Sequence, residues 1–136
     1  MIDKLIKLII DQEKDLRSLL ELLEIQNEMI VKKDLFGLEG LIDKFNVCSK
    51  KIAEKEVERR KLLGESSISE VLKESDNDEL KQSYNNIRNT LNKVLFNKET
   101  NEILLKQNII FNTKMLNIMN PSKTMKTYNS YGHLSK

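Results

Sequence analysis

The sequence predicts an all-α protein, an elongated antiparallel helical hairpin or three-helix bundle with coiled-coil-like packing and a flexible C-terminal tail. Two observations lead to this class. One proline and four glycines in 136 residues are too few for the turns of an all-β fold. Apolar residues also recur every three or four positions over most of the chain, which is typical of packed helices. At this length we expect one domain, with a helical body over residues 1–119 and the tail over residues 120–136.

The first helix is predicted over about residues 2 to 31. Its seam steps by three and four positions without a break, and two glutamines interrupt the apolar residues. The seam consists of Ile2, Leu5, Ile9, Gln12, Leu16, Leu19, Leu23, Gln26 and Ile30. A helix of this length spans roughly 44 Å, which suits a hairpin better than a small globule. Lys32 to Asp34 is the predicted turn, with Asp34 able to cap the next helix.

A second helix is predicted over about residues 35 to 63, ended by Gly64. One face carries Leu38, Leu41, Phe45, Cys48 and Ile52. We interpret the lone Cys48 as a small buried hydrophobe rather than a nucleophile. The charged run over residues 54–61 contains opposite charges four positions apart, so a solvated helix face is favoured over a binding patch.

The third and longest helix is predicted to start at Ser75 to Asp78, after a short helical turn at residues 68–72. Its seam consists of Leu80, Tyr84, Ile87, Leu91 and Val94, and Asn97, Asn101 and Asn108 fall near the same line. Pro121 ends this helix because proline lacks the N–H donor that a helix requires. The residues that follow have no periodicity and are predicted to form the tail.

Charge and composition exclude several function classes. The net charge of +2 is too small to indicate nucleic acid as the main partner, although no acid follows Glu102 and five lysines do. The unpaired Cys48 suits a reducing compartment, so we expect a cytoplasmic protein. The acidic residues of the first helix exclude a signal peptide, and no membrane insertion is expected.

No motif for catalysis or cofactor binding is found. Glycine-rich phosphate loops are absent, and a metal site would need Cys48 and His133 to converge with further ligands. The carboxylates lie among lysines on helix faces, where no apolar pocket is expected to raise a pKa. We therefore expect neither an enzyme nor a bound cofactor or metal.

Two features do not fit a simple bundle. Apolar residues between positions 103 and 119 cover about half the helix circumference, so either both other helices pack there or a partner does. The tail keeps Met125, Tyr128, Tyr131 and Leu134, which indicates either a recognition segment or a segment that folds back on the bundle.

Four segments together resemble the FlgN-type flagellar export chaperones. They are the acidic, leucine-rich stretch Glu13 to Leu23, the Glu-Arg-Arg-x-Leu-Leu run at Glu58 to Leu63, the Asn-x-x-x-Asn-x-x-Leu-Leu segment at Asn97 to Leu105, and Thr-Tyr-x-x-x-Gly at Thr127 to Gly132. The similarity lies in their order and spacing and covers nearly the whole chain.

The resemblance implies a cytoplasmic chaperone of the flagellar type III export system. Its clients would be hook-filament junction proteins of the FlgK and FlgL types, bound through their terminal helices, and it would dock on the FlhA-type export gate. The implied client surface consists of Leu104, Leu105, Asn108, Phe111, Met115, Leu116 and Met119. Tyr128 best matches the gate-docking tyrosine, with Tyr131 second.

Other functions are compatible with the same pattern. A structural coiled-coil subunit would bury its apolar surface in a stable homo-oligomer, whereas a chaperone is expected to be a monomer or weak dimer. A nucleic-acid adaptor that uses the basic C-terminal quarter is a third possibility, and its binding would fall steeply with salt.

Overall fold

The computed structural model describes residues 1–119, and every regular element in this range is an α-helix. The predicted all-α class is therefore confirmed. The helices, in chain order, are α1 (Ile2–Lys32), α2 (Leu35–Gly40), α3 (Ile42–Leu63), α4 (Ile68–Ser75) and α5 (Asp78–Met119). Pro121 and the tail lie outside the described residues.

The turn after α1 forms where the sequence predicts it. Lys33 adopts the left-handed conformation, with φ of 59°, and its N–H donates to the carbonyl of Ile30 at 3.1 Å. The Asp34 carboxylate accepts a hydrogen bond from the Gly37 N–H at 2.9 Å and so caps α2. This turn reverses the chain, and α3 packs antiparallel along α1.

The predicted second helix is divided in two, which corrects the single helix expected over residues 35 to 63. Leu41, between α2 and α3, keeps right-handed helical dihedral angles, but its N–H donates to the carbonyl of Leu38, three residues back, at 3.2 Å. Gly37 and Gly40 explain the break, since glycine is a poor helix former and α2 contains two of them in six residues. The predicted inner face survives the break, because Leu41 and Cys48 are buried and Phe45 is half-buried.

Side-chain caps position the short α4 and the start of α5. Gly64, at φ of 62°, ends α3 as predicted. The Ser67 hydroxyl accepts from the Glu70 N–H at 3.2 Å, and α4 runs three residues past the predicted turn. The Asn77 side chain accepts from the Leu80 N–H at 3.0 Å, which fixes where α5 begins.

The core of residues 1–99 consists of two apolar clusters along α1. The first is built on Leu5, Ile6, Ile9, Val71 and Leu80, so α4 closes the bundle at this end. The second is built on Leu16, Leu23 and Val94, with Phe45 and Ile52 of α3 packed against it. These contacts place α1 between α3 and α5, with α5 parallel to α1. Every predicted α1 seam residue is buried or half-buried.

The seam of α5 differs from the prediction at two positions, where Ser83 replaces Tyr84 and Thr90 replaces Leu91. Leu91 is 41% exposed, whereas Ser83 and Thr90 are buried. The seam of the first unit therefore follows Leu80, Ser83, Ile87, Thr90 and Val94. The Thr90 hydroxyl donates to the Glu13 carboxylate of α1 at 2.7 Å, and this bond compensates the burial of the hydroxyl.

The chain forms two compact units, Met1–Glu99 and Thr100–Lys136. The first holds α1 to α4 and the beginning of α5. The second unit contains the last twenty residues of α5, from Thr100 to Met119, within the described range.

Candidate functional site

The residues expected to bind a client lie on one face of the C-terminal part of α5. At 100° per residue, their seven positions fall within an arc of about 140°. Leu104, Leu105 and Asn108 are half-buried. For Phe111, Met115, Leu116 and Met119 the structure gives helical backbone, with the register that places them on this face.

Asn101 lies on α5 three residues before Leu104. It is among the most buried side chains of the described residues. Its exposed fraction is 2%. From the sequence, Asn101 is expected near the seam, at a position where a helical core usually has leucine. Its burial confirms this expectation, and a buried amide can specify helix register. The tail tyrosines, Tyr128 and Tyr131, lie outside the described residues.

A polar layer separates the two apolar clusters at the centre of the first unit. Gln12 of α1 is buried and donates from its Nε2 to the Glu56 carboxylate of α3 at 3.4 Å. The Arg59 guanidinium binds both oxygens of Glu56 at 2.8 Å. Partial burial raises the pKa of Glu56, but the hydrogen bond and charge of Arg59, with smaller contributions from Gln12 and Arg60, outweigh it and leave the pKa below its ordinary value.

The charged run on α3 is therefore only partly a solvated face, which corrects the prediction. Lys55 forms an ion pair with Asp15 of α1 at 2.6 Å, and Glu56 reaches Gln12 as described above. Four-residue spacing within one helix revealed the Glu56–Arg60 pair, which is present at 3.5 Å. It could not reveal the pairs between helices, because these depend on the register of α3 against α1.

Cys48 is buried at the same interface, as predicted. Its thiol donates to the Asp15 carbonyl at 3.5 Å. Burial and the negative charge of Asp15 raise the pKa of the thiol, and the opposing effect of Lys51 is smaller. A raised pKa keeps the sulfur protonated near neutral pH, which is the opposite of what a nucleophile requires.

Two apolar surfaces of the first unit were not found from the sequence. Leu35 and Phe36, at the start of α2, are highly exposed. A groove of about 430 Å³ lies between α1 and α3, and Leu22, Ile25 and Val47 line it together with polar residues. The only sequence signal for the first surface is a Leu-Phe pair placed between a predicted turn and a glycine.

The described residues contain no arrangement for metal binding. No three His, Cys, Asp or Glu side chains of residues 1–119 come together as a metal site. In the same range, every helix is too short or too polar to cross a lipid bilayer.

Comparison with known proteins assigns the family. The family model described as FlgN protein matches residues 1–136, the whole chain. The chain belongs to the FlgN family. No significant match was found among curated proteins or among solved structures.

The FlgN family is a family of flagellar export chaperones, so the resemblance carried by the four sequence segments is confirmed. A chaperone acts by covering apolar surface of its client, and it needs an apolar face rather than a reactive group. In this FlgN-family chain, the C-terminal face of α5 has the residue types for that role.

Proposed function

We propose that this FlgN-family chain is a cytoplasmic chaperone for hook-filament junction proteins of the FlgK and FlgL types. It holds a terminal helix of the client until export through the type III system. The family match over the whole chain is the observation that carries this proposal.

The client helix lies on the C-terminal face of α5, formed by Leu104, Leu105, Asn108, Phe111, Met115, Leu116 and Met119. Two points support this face. Its positions fall within a single arc of α5, which is how a helix presents a continuous stripe to an amphipathic partner. Methionine is flexible and polarizable, so it adapts to client helices of different shape.

Asn108, which is half-buried on this face, helps to set the register of the client helix through a hydrogen bond. From the sequence, Asn101 is expected to share this role, but it is only 2% exposed and is therefore not accessible to a client. Register selection of this kind lowers the total affinity and increases specificity.

The tail delivers the loaded chaperone to the FlhA-type export gate. Tyr128 is the proposed docking residue, with Tyr131 second. Tyr128→Ala is expected to abolish binding of the chaperone–client complex to the purified cytoplasmic domain of the gate while client affinity stays within twofold. Loss of client binding in the same variant would contradict a separate docking role.

A client titration tests the proposal. The purified chain is titrated by calorimetry with the C-terminal segment of a junction protein from the same organism. We expect a 1:1 complex. The absence of binding, together with a stable homo-oligomer, would instead favour a structural coiled-coil subunit.

A further inference from the structure

The turn between α1 and α3 displays two large apolar side chains. Phe36 is 89% exposed and Leu35 is 76% exposed, the highest values among the exposed large apolar residues of the described range. We call this pair the tip. Removing such side chains from water is favourable, so a partner that covers both would gain free energy.

Hydrogen bonds of Asp34 fix the turn that carries the tip. Asp34 donates its backbone N–H to the Met29 carbonyl at 2.9 Å, and its carboxylate caps α2 at Gly37. Ile30 and Leu41, on either side of the turn, are buried. Because this backbone is already ordered, binding through the tip costs less conformational entropy than binding through an unstructured loop.

The groove between α1 and α3 offers a receptor of suitable chemistry. Its volume of about 430 Å³ lies in the range of small-molecule and side-chain pockets. Val47, on its α3 side, is 57% exposed, and Ile25 lies on the α1 side. The described chain thus carries both a projecting apolar pair and an apolar groove.

Charge argues against nucleic acid or an anionic membrane as the occupant. Around the tip, Lys32 and Lys33 are balanced by Asp34 and Glu39. The groove is likewise balanced, since Asp15 is paired with Lys55 and the remaining charged lining residues are two acids and two lysines: Glu21, Asp43, Lys44 and Lys51. Nucleic acid and anionic lipid both require a basic excess, whereas two neutral surfaces approach without repulsion.

We propose that two copies of this chain pair, with Leu35 and Phe36 of each copy entering the α1–α3 groove of the other. One phenylalanine buries about 150–250 Å², so a single tip in a single groove falls well short of the ~800 Å² per partner of a stable complex. A two-fold pair contains this contact twice. The pairing is therefore closed, weak and dependent on concentration.

This pairing uses none of the residues proposed to bind a client. It can therefore be tested on the full-length chain without a client, and its failure would leave the client titration unaffected. The three variants that test it are Phe36→Asp in the tip, Val47→Asp in the groove, and Val57→Asp as the matched control. Val57 is exposed on α3 and does not line the groove.

Sedimentation equilibrium measures the pairing from about 1 to about 500 μM, which spans weak association. We expect the wild-type chain to form dimers and nothing larger. Phe36→Asp and Val47→Asp should each raise the dimer dissociation constant at least about tenfold, because a carboxylate enters an apolar contact. Val57→Asp should change it less than about twofold. Far-UV circular dichroism checks that each variant is folded.

Mixing the two weakened variants gives the sharpest test. Phe36→Asp keeps an intact groove and Val47→Asp keeps an intact tip, so one of the two contacts is restored in the mixed dimer. The equimolar mixture should therefore dimerise more strongly than either variant alone.

Three results would overturn the proposal: a wild-type chain that stays monomeric over the whole range, a Phe36→Asp variant that pairs like the wild type, or a mixture that pairs no better than its components. In the first case, binding of the tip to phosphatidylglycerol vesicles or to a different protein would identify another occupant.

Discussion

Gly37 shows how one residue shapes the end of the helical hairpin. A Cβ atom at this position would meet the carboxylate of Asp34 and lie 2.9 Å from the sulfur of Met29. The Asp34 carboxylate is the cap of α2, so it cannot move away without losing its hydrogen bond. Gly40, in the same short helix, has open space around it.

The two glycines provide a matched pair of substitutions. Gly37→Ala is expected to lower the free energy of unfolding by about 1 kcal/mol through loss of the cap. Gly40→Ala should leave it unchanged or raise it by up to about 1 kcal/mol, because alanine favours the helix. Urea unfolding followed by circular dichroism measures both, and equal effects would contradict the close contact at Gly37.

The free energy of unfolding is expected to depend on pH through Glu56. Its pKa is lowered in the folded state, so its contribution to stability is present above its ordinary pKa of 4.5 and is lost as the pH falls through the folded-state value. Glu56→Gln is expected to be less stable than the wild type near neutral pH, by about 1 kcal/mol or less for this partly exposed carboxylate.

The difference between these two proteins should shrink as the pH is lowered below 4.5. Urea unfolding at a series of pH values measures it. Glu54→Gln, on the exposed side of the same helix, is the control and should not reproduce the trend. A difference that grows in acid would show that the interaction with Arg59 does not stabilise the folded state.

The α5 helix shows which properties of an element the sequence determines. Two sets of positions satisfy the same three-and-four spacing, one through Tyr84 and Leu91 and the other through Ser83 and Thr90. Apolarity favours the first set, and the structure buries the second. The rotation of α5 against α1 decides between them, and in the observed rotation the Thr90 hydroxyl donates a hydrogen bond to Glu13 of α1.

Truncation of Val94, which both seams contain, and of Leu91, which only the predicted seam contains, tests which seam is buried. Val94→Ala removes a buried side chain of the second core cluster and should lower the free energy of unfolding by about 2 kcal/mol. Leu91→Ala should lower it by less than about 1 kcal/mol because the side chain is partly exposed. Chemical unfolding measures both. A larger loss of unfolding free energy for Leu91→Ala than for Val94→Ala would show that the predicted seam is the buried one.

Local signals predicted most of the elements, and contacts between helices account for what was missed. The α1 seam, the turn at Lys33, the end of α3 at Gly64 and the start of α5 at Asn77 follow from spacing, caps and glycine. The break at Leu41, the polar layer at Gln12 and the α1–α3 groove depend on how helices meet, which one-dimensional spacing does not contain. Of the candidate site, the sequence predicted the helix, and Asn101 is buried as expected, whereas the client-binding role of the face stays a prediction.

At the scale of the molecule, residues 1–119 form helices that leave several large apolar side chains exposed. The family match makes the chain a flagellar export chaperone. Client binding is assigned by proposal to the C-terminal part of α5, and self-pairing to the turn and groove of the first unit. Because these surfaces use different residues, substitutions can separate them.

A pair of substitutions in the last turns of α5 tests the client-binding face. Phe111→Asp places a carboxylate on that face and is expected to weaken client binding at least about tenfold, since a charge would be desolvated in an apolar contact. Asn117→Asp adds the same charge to the same helix at an exposed position outside the seven-residue face. It should change the affinity less than about twofold.

Calorimetric titration of the wild-type chain, Phe111→Asp and Asn117→Asp with the C-terminal segment of a junction protein tests the central claim most directly. The account predicts a 1:1 complex with the wild type and Asn117→Asp, and strongly weakened binding by a folded Phe111→Asp. Equal binding by all three proteins, or no binding by the wild type, would contradict it.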